Sequence, residues 1–512
     1  MNKIYGALLF ASACSLGCGG ATSSKTSTSV PKDKPAPSAS IAEPSPPREP
    51  PPESLPPRQV TATPPTWAEL ANGLKIVSRR NRTIPAVQLR VVVLAGSSTD
   101  GEHTGLSAMC AQAVASSGAA NMNDTELQGK LEALGATLDV DVDPDRVVYG
   151  LSVVSDRLPD AFELLTQVVN KPGLKDADVT RIQKQLTEEA AESARSDGRW
   201  GVMMMLYRDL FELPTDHHPY ASYAATVDDL AKLQPKDCKE WHRKHFVPSN
   251  MLIAAAGDVD PERLRSLATK GFGNLPKKVA PVVSFTDPMP PAATKITLVE
   301  RPGSTQSEIA VGTLAPKETD PSYPPFAVAE QILGGAFSGR LWEDVREKQG
   351  LAYLTFSSTD VYANGPSVFY AYAQTQNEST GKALGALLEH LQKLAAAAAP
   401  TNEEIETASR FLVGIRSISR GRPRAAADEL SDNWAHKQSD DAAEELDKAT
   451  RRVTADQARK EFAEHVREGH MIIVVTGDSR SIGAALQTFG EVKVVDPTRN
   501  FTRIKTLPFT AL

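Results

Sequence analysis

The strongest constraint on this chain is a repeat. Met251-Leu-Ile-Ala-Ala-Ala-Gly-Asp258 is a short apolar run closed by Gly-Asp, and Met471-Ile-Ile-Val-Val-Thr-Gly-Asp478 restates it 220 residues later. The flanks repeat with it. Lys239-Glu-Trp-His-Arg-Lys-His245 precedes the first copy and Lys460-Glu-Phe-Ala-Glu-His465 the second. An apolar-periodic segment follows each, from Pro261 to Ala268 and from Ile482 to Leu486. Each copy therefore reads as helix, buried strand, Gly-Asp turn and helix. Matching flanks on both sides point to a duplicated unit, so the chain is expected to build one fold twice.

A length of 512 residues suits about three domains, which leaves a segment at the N-terminus besides the two repeats. Hydrophobic residues at 41% and charged residues at 23% are ordinary for a globular protein. A net charge of −7 gives no basic footprint, so no nucleic-acid partner is expected. Lys3 followed by the apolar run Ile4–Ala13 is too short for a mature membrane span and reads as an export signal over residues 1–18. Small residues around Cys14 and Cys18 resemble a bacterial lipoprotein signal, with either cysteine as the lipidated one. Residues 19–65 are rich in Pro, Ser and Thr and predict a semi-extended tether that holds the folded part off a membrane. Only Cys110 and Cys238 remain beyond it; their spacing matches no disulfide framework, so no bridge is expected.

Taken in order, Trp67–Leu70, Leu74–Val77 and Val87–Leu94 read as strands, with Asn72-Gly73 as a turn. Leu106–Ala115 is a buried small-residue helix, and Glu126–Leu134 a second helix. The alternation in Leu138-Asp-Val-Asp-Val-Asp143 predicts a half-exposed strand, followed by a strand at Val147–Val154. Helices are expected over Leu158–Val169 and from Asp176 to about Ala194. Prolines 281, 288, 290 and 291 mark a linker, placing a first domain at 66–280, the linker at 281–293 and a second domain at 294–512. The second half restarts with strands Ile296–Glu300 and Glu308–Gly312 and a helix Tyr323–Leu333. Leu341–Lys348, Ser367–Gln376, Thr380–Ala398, Asn402–Ile418 and Ala425–Trp434 then read as helix, strand and three helices. The expected fold class is α+β: two tandem homologous domains, each an antiparallel or mixed sheet covered by helices.

Asn72-Gly-Leu-Lys-Ile-Val77, Gly105-Leu106, His218-Pro-Tyr220, Pro248-Ser-Asn-Met-Leu252, Gly257-Asp258 and Arg346-Glu-Lys-Gln-Gly-Leu-Ala-Tyr353 occur in a telling order. That order and spacing, over about residues 66–495, resemble the pitrilysin/insulinase family of zinc peptidases. The likeness is greatest to the branch of mitochondrial processing peptidase and its bacterial relatives. It implies a His-x-x-Glu-His motif just after the Gly-Leu of the first helix. There, two histidines one turn apart bind Zn²⁺ and the Glu takes a proton from the metal-bound water. Here the matching residues are Ala108, Ala111 and Gln112. Two methyls and a neutral amide replace two ligands and a base. Glu188 or Glu189 falls where the family's later carboxylate ligand stands, on a helix face that reads as solvated surface. The resemblance therefore implies a chain without catalytic residues or a zinc site of its own.

Other metal candidates are weaker. His103 with Cys110 is a conceivable relocated site, although Cys110 occupies a packing position. His217-His218 before Pro219 reads as a turn. His242 and His245 lie three apart on a helix, and solvated surface histidines are the expected reading. What the resemblance does carry over is an arginine–tyrosine pair, Arg346 and Tyr353, which in relatives binds substrate backbone. A guanidinium offers a fork of donors to carbonyl oxygens, and a phenol donates to a developing oxyanion. The competing reading pairs Arg346 with Glu343 or Asp344 and leaves Tyr353 as the start of a strand. Arg340 is the less favoured donor.

These readings predict an exported, periplasmic or envelope protein, anchored to a membrane by lipid. It would be the non-catalytic subunit of a heterodimer whose zinc-containing paralogue holds the Zn²⁺. The substrate would be an extended peptide, held by strand addition and touched by Arg346 and Tyr353. The rival expectation is a peptide-binding or scaffolding lipoprotein, and a third is a peptidase with an unrecognised metal site.

Overall fold

The computed structural model describes residues 63–213, 218–280, 284 and 286–511. The signal, Cys14, Cys18, the tether up to residue 62 and His217 lie outside the described residues. Among the described residues no helix is long and apolar enough to cross a membrane.

In the first half, β1 (Thr66–Glu69), β2 (Lys75–Arg80) and β3 (Ala86–Val93) lead into α1 (Leu106–Ser116) and α2 (Asp124–Ala133). Strands β4 (Thr137–Val142) and β5 (Val147–Val154) pair antiparallel. They precede α3 (Leu158–Asn170), α4 (Asp176–Ser196) and α5 (Gly198–Leu210). The short α6 (Val227–Leu230) and α7 (Pro235–His245) then feed β6 (Met251–Gly257) and α8 (Pro261–Phe272).

The second half repeats the plan. It runs β7 (Lys295–Glu300), β8 (Gln306–Ala315), α9 (Tyr323–Glu330), β9 (Leu354–Asp360) and β10 (Ser367–Gln376). Helices α10 (Thr380–Gln392), α11 (Asn402–Arg420), α12 (Pro423–Ala435), α13 (Ala442–Arg451) and α14 (Ala455–His465) follow. The half ends with β11 (Ile472–Gly477), α15 (Ser479–Gln487), β12 (Val492–Asp496) and β13 (Thr502–Leu507).

The duplication is visible in the sheets. The first has the order β1-β2-β6-β3-β5-β4 and the second β13-β12-β7-β11-β8-β10-β9. The shared order is β2-β6-β3-β5-β4 and β7-β11-β8-β10-β9, and the two Gly-Asp strands, β6 and β11, hold the same central place. Each runs parallel to one neighbour, β2 or β7, and antiparallel to the other, β3 or β8. Both are wholly buried, as a strand covered on two faces must be. The α+β pair expected from the sequence is the fold observed. The edges differ, because β1 adds antiparallel to β2 whereas β12 adds parallel to β7.

One face of each sheet packs on helices of its own half; the other face is covered by a helix from the opposite half. Helix α5 lies across β8 and β11, with Val202, Met203, Leu206 and Leu210 against Val299, Ala310, Ile472 and Val474. Helix α12 lies across β6 and β3, where Ala426 and Ala427 meet Ala256 and Leu430 meets Val77, Val92 and Ala254. The run Ala254-Ala-Ala256 lets that helix approach closely. At the other contact Gly312 performs this role, since a Cβ there would lie 2.8 Å from Leu206 and 2.9 Å from the Phe369 carbonyl.

The two contacts differ in chemistry. The α5 contact is apolar at its centre, with isolated polar contacts beside it: Asp209 accepts from the Thr297 hydroxyl at 3.2 Å and Tyr207 donates to Asp360 at 2.5 Å. The α12 face carries buried ions: Arg79 reaches Glu429 at 2.8 Å, Arg90 reaches Asp428 at 2.7 Å, and Arg146 pairs with Asp432. Nearby, the Asp145 carboxylate accepts hydrogen bonds from the Tyr220 hydroxyl, from the Ala363 N–H at 2.8 Å and from the Asn364 side chain at 2.9 Å. The two halves thus share buried polar networks as well as cores.

Candidate functional site

The start of α1 is fixed by two local devices. Gly105 takes φ +90°, a left-handed conformation that favours glycine. The buried Asp100 carboxylate accepts from the Gly105 N–H at 3.0 Å and from the Ser107 N–H at 2.9 Å. Burial pushes the Asp100 carboxyl up to about 7, against the pull of those hydrogen bonds. One turn on, Ala108 presents a methyl to solvent, Ala111 is buried, and the Gln112 amide donates to the Ser116 hydroxyl at 2.8 Å. The Ala111 carbonyl accepts from the Tyr149 hydroxyl at 3.4 Å. On α4, Glu188 stands 3.8 Å from Lys184, and Glu189 accepts from Gln185 at 2.9 Å. Both glutamates are exposed. This donor set does not fit a zinc ion, which needs imidazole, thiolate or carboxylate ligands converging on one point. Among the described residues no three His, Cys, Asp or Glu side chains form a group able to hold a metal ion.

Two expectations are corrected here. Cys110 of α1 and Cys238 of α7 form a disulfide, with Cα atoms 5.0 Å apart across a separation of 128 residues. Spacing could not reveal it, because helix packing alone brings the two together. The same bond removes the sulfur from any site with His103, which is exposed in its loop. His242 and His245 are not solvated. His242 donates from Nε2 to the Val169 carbonyl at 2.7 Å and stacks on Phe246, while His245 is buried against Trp241. Burial holds both imidazoles below their usual range, His245 at about 4. His218 is the expected turn residue, its Nδ1 accepting from the Tyr220 N–H at 3.0 Å and its ring stacked on Phe211.

The Arg346 region is built on two wide helical turns, Gln331–Gly335 and Trp342–Lys348. Arg340 locks the connection, its guanidinium bound to both Glu404 oxygens at 2.7 and 2.9 Å and to the Ala398 carbonyl at 2.9 Å. It is structural and not available to a ligand. Arg346 stacks with its guanidinium carbon 3.8 Å from the Trp342 ring centre and 5.5 Å from that of Tyr353. Neither acidic partner considered from sequence is the one used: Glu343 binds Lys348 at 2.9 Å and Asp344 binds His390 at 2.7 Å. Arg346 has Glu347 at 3.5 Å instead. Tyr353 directly precedes β9, its N–H donating to the Gln374 carbonyl at 3.0 Å, and its ring is 77% exposed. A pocket of about 240 Å³ lies beside it, lined by Gln306, Leu351, Gln374, Thr375 and Gln376. The sequence had no signal for the Trp342 contact beyond an aromatic four residues before the arginine.

The family model for insulinase (peptidase family M16) matches residues 75–219, and that for the peptidase M16 inactive domain matches residues 232–412. The chain belongs to the insulinase (M16) peptidase family. An uncharacterized zinc protease of Mycobacterium tuberculosis is 24% identical over 321 residues, 61% of this chain and 71% of the relative. Mitochondrial-processing peptidase subunit beta of Saccharomyces cerevisiae is 22% identical over 216 residues, 42% of this chain and 46% of the relative. The crystal structure of a peptidase M16 inactive domain from Pseudomonas fluorescens superposes with a TM-score of 0.74 at 25% identity, covering 81% of this chain and 98% of that one. Fold and family agree with the resemblance read from Asn72 to Tyr353.

Proposed function

We propose that this M16 chain is a non-catalytic subunit: it contributes Arg346 and Tyr353 to peptide binding beside a paralogue that carries the zinc site. One contrast carries this reading. The first-half helix offers Ala108, Ala111 and Gln112 where ligands and base would stand, yet the second half keeps a stacked arginine and a solvent-facing tyrosine. Loss of one set beside retention of the other makes sense when a second chain supplies what is missing. The yeast relative is itself named as a peptidase subunit. In this reading the substrate is an extended peptide. The chain acts outside the cytosol, tethered to a membrane through Cys14 or Cys18, and the buried Cys110–Cys238 bridge supports an oxidising compartment.

The test is peptide hydrolysis with bound zinc quantified alongside, for this chain alone and mixed with its nearest relative bearing His-x-x-Glu-His. The expected result is no zinc and no cleavage alone, with activity on mixing that falls in Arg346→Ala. Stoichiometric zinc and turnover by this chain alone would refute the proposal. Inactivity in both samples would favour a scaffolding role.

A further inference from the structure

The setting of Arg346 restricts what it can bind. Trp342 covers one part of its guanidinium and Tyr353 stands at another, while Phe337 meets the Trp342 indole edge to face at 4.5 Å. Phe337 and Tyr353 are 69% and 77% exposed, so the stack stands at the surface. Stacking on an aromatic ring engages the flat face of a guanidinium and leaves its in-plane N–H edge for hydrogen bonds. The other carboxylates on this turn are already engaged, Glu343 by Lys348 and Asp344 by His390. Glu347 pairs with Arg346 only loosely, at 3.5 Å and with both side chains partly exposed, so an incoming carboxylate can compete for the guanidinium. A ligand arriving at this face therefore meets a flat cation held in one orientation.

We propose that Trp342 is a positioning residue for Arg346, and that the stacked guanidinium selects extended peptides bearing a carboxylate. This deepens the reading of Arg346 and Tyr353 as peptide-binding residues and rests on it. A carboxylate accepts two parallel N–H bonds from such a fork, whereas a neutral amide oxygen gains less from the same contact. Holding the side chain by stacking also removes rotamer freedom that binding would otherwise have to remove. The adjoining pocket supplies uncharged partners for the rest of the peptide, since Gln306, Gln374, Gln376 and Thr375 carry amides and a hydroxyl.

The experiment titrates the full chain into a fluorescein-labelled peptide of alternating Glu and Val, and into its counterpart with Gln for Glu, reading anisotropy. The Glu peptide is expected to bind about tenfold tighter, the worth of a hydrogen bond to a charged group. Trp342→Leu should weaken it about fivefold, within the range of a cation–π contact, and Trp342→Phe should restore most of that. The Arg346 Nε–Hε NMR signal should carry a ring-current shift that Trp342→Leu removes and Trp342→Phe retains. Arg346→Gln, which leaves Trp342 in place and removes the charge, should abolish the preference for Glu and serves if Trp342→Leu does not fold. Equal affinity for the two peptides, no binding of either, or wild-type binding by Trp342→Leu with an unchanged Arg346 signal would each overturn the proposal. Because binding is read on this chain alone, that failure is separate from a failure of the paired-subunit reading, which appears only in the mixing assay.

Discussion

Breaking the Cys110–Cys238 bridge should cost this protein more stability than any single side-chain contact at its surface. The bridge closes a loop of 128 residues between the buried faces of α1 and α7 in the first half. Chain entropy alone assigns such a loop about 5 kcal/mol, an upper value because the reduced unfolded chain retains some structure. Spread over a cooperative unit the size of one half, that corresponds to a fall of about 10 °C in Tm. The assay compares thermal unfolding of oxidised protein, protein reduced under denaturant and refolded with reductant, and the Cys110→Ala/Cys238→Ala variant. A fourth sample contains a metal chelator. The expected pattern is a lowered midpoint in the reduced and double-alanine proteins and no effect of chelator. Identical midpoints for oxidised and reduced protein would refute the argument. Two thiols alkylated only after reduction would confirm the bond itself, and a chelator-sensitive midpoint would show that α1 depends on metal after all.

Three further outcomes follow from buried charge. Asp432→Ala removes one of the two carboxylates that hold Arg146, the other being Asp143 at 3.0 Å, and should cost about 1.5–3 kcal/mol in urea unfolding, the worth of a hydrogen bond to a charged group. Asp428→Ala should cost less, because Asp428 is itself 42% exposed and water can replace it. Asp100 sets a pH dependence. Its carboxyl is raised from 3.8 to about 7 by burial, so the folded chain keeps a proton that the unfolded chain releases. Its contribution is therefore complete below pH 4 and is lost as the pH rises through 7, with a limiting slope of about 1.4 kcal/mol per pH unit. Urea unfolding free energies between pH 4 and 8 should differ in slope between the wild type and Asp100→Asn by up to that amount, the wild type losing stability more steeply as the pH rises. Equal slopes would refute the assignment.

Elements whose face repeats along the chain were legible in the sequence. Val147–Val154 and Ser367–Gln376 occur with the expected bounds, and α1 and α3 run one residue beyond theirs. Helix α5 was not legible. Gly198-Arg-Trp-Gly-Val-Met-Met-Met-Leu-Tyr207 is buried on nearly every side, so it shows no amphipathic period. Strand β9 was missed because Leu354, Phe356, Ser358 and Asp360 mix apolar and polar residues on one face. Strands β12 and β13 have no counterpart in the first copy, and the repeat could not point to them.

The sequence by itself determined that a unit of about 220 residues is used twice, with an apolar Gly-Asp strand at the centre of each sheet. Local periodicity and turn chemistry suffice for that. Ala108, Ala111 and Gln112 stand, in any fold, at the positions that the family resemblance assigns to the zinc motif. Only the tertiary structure decided that α5 and α12 each cover the other half's sheet, that Cys110 meets Cys238, that His242 and His245 are packed, and that Trp342 holds Arg346. Each of those depends on surfaces distant in sequence or on the curl of an irregular helical turn, and close packing, not spacing along the chain, brings them together.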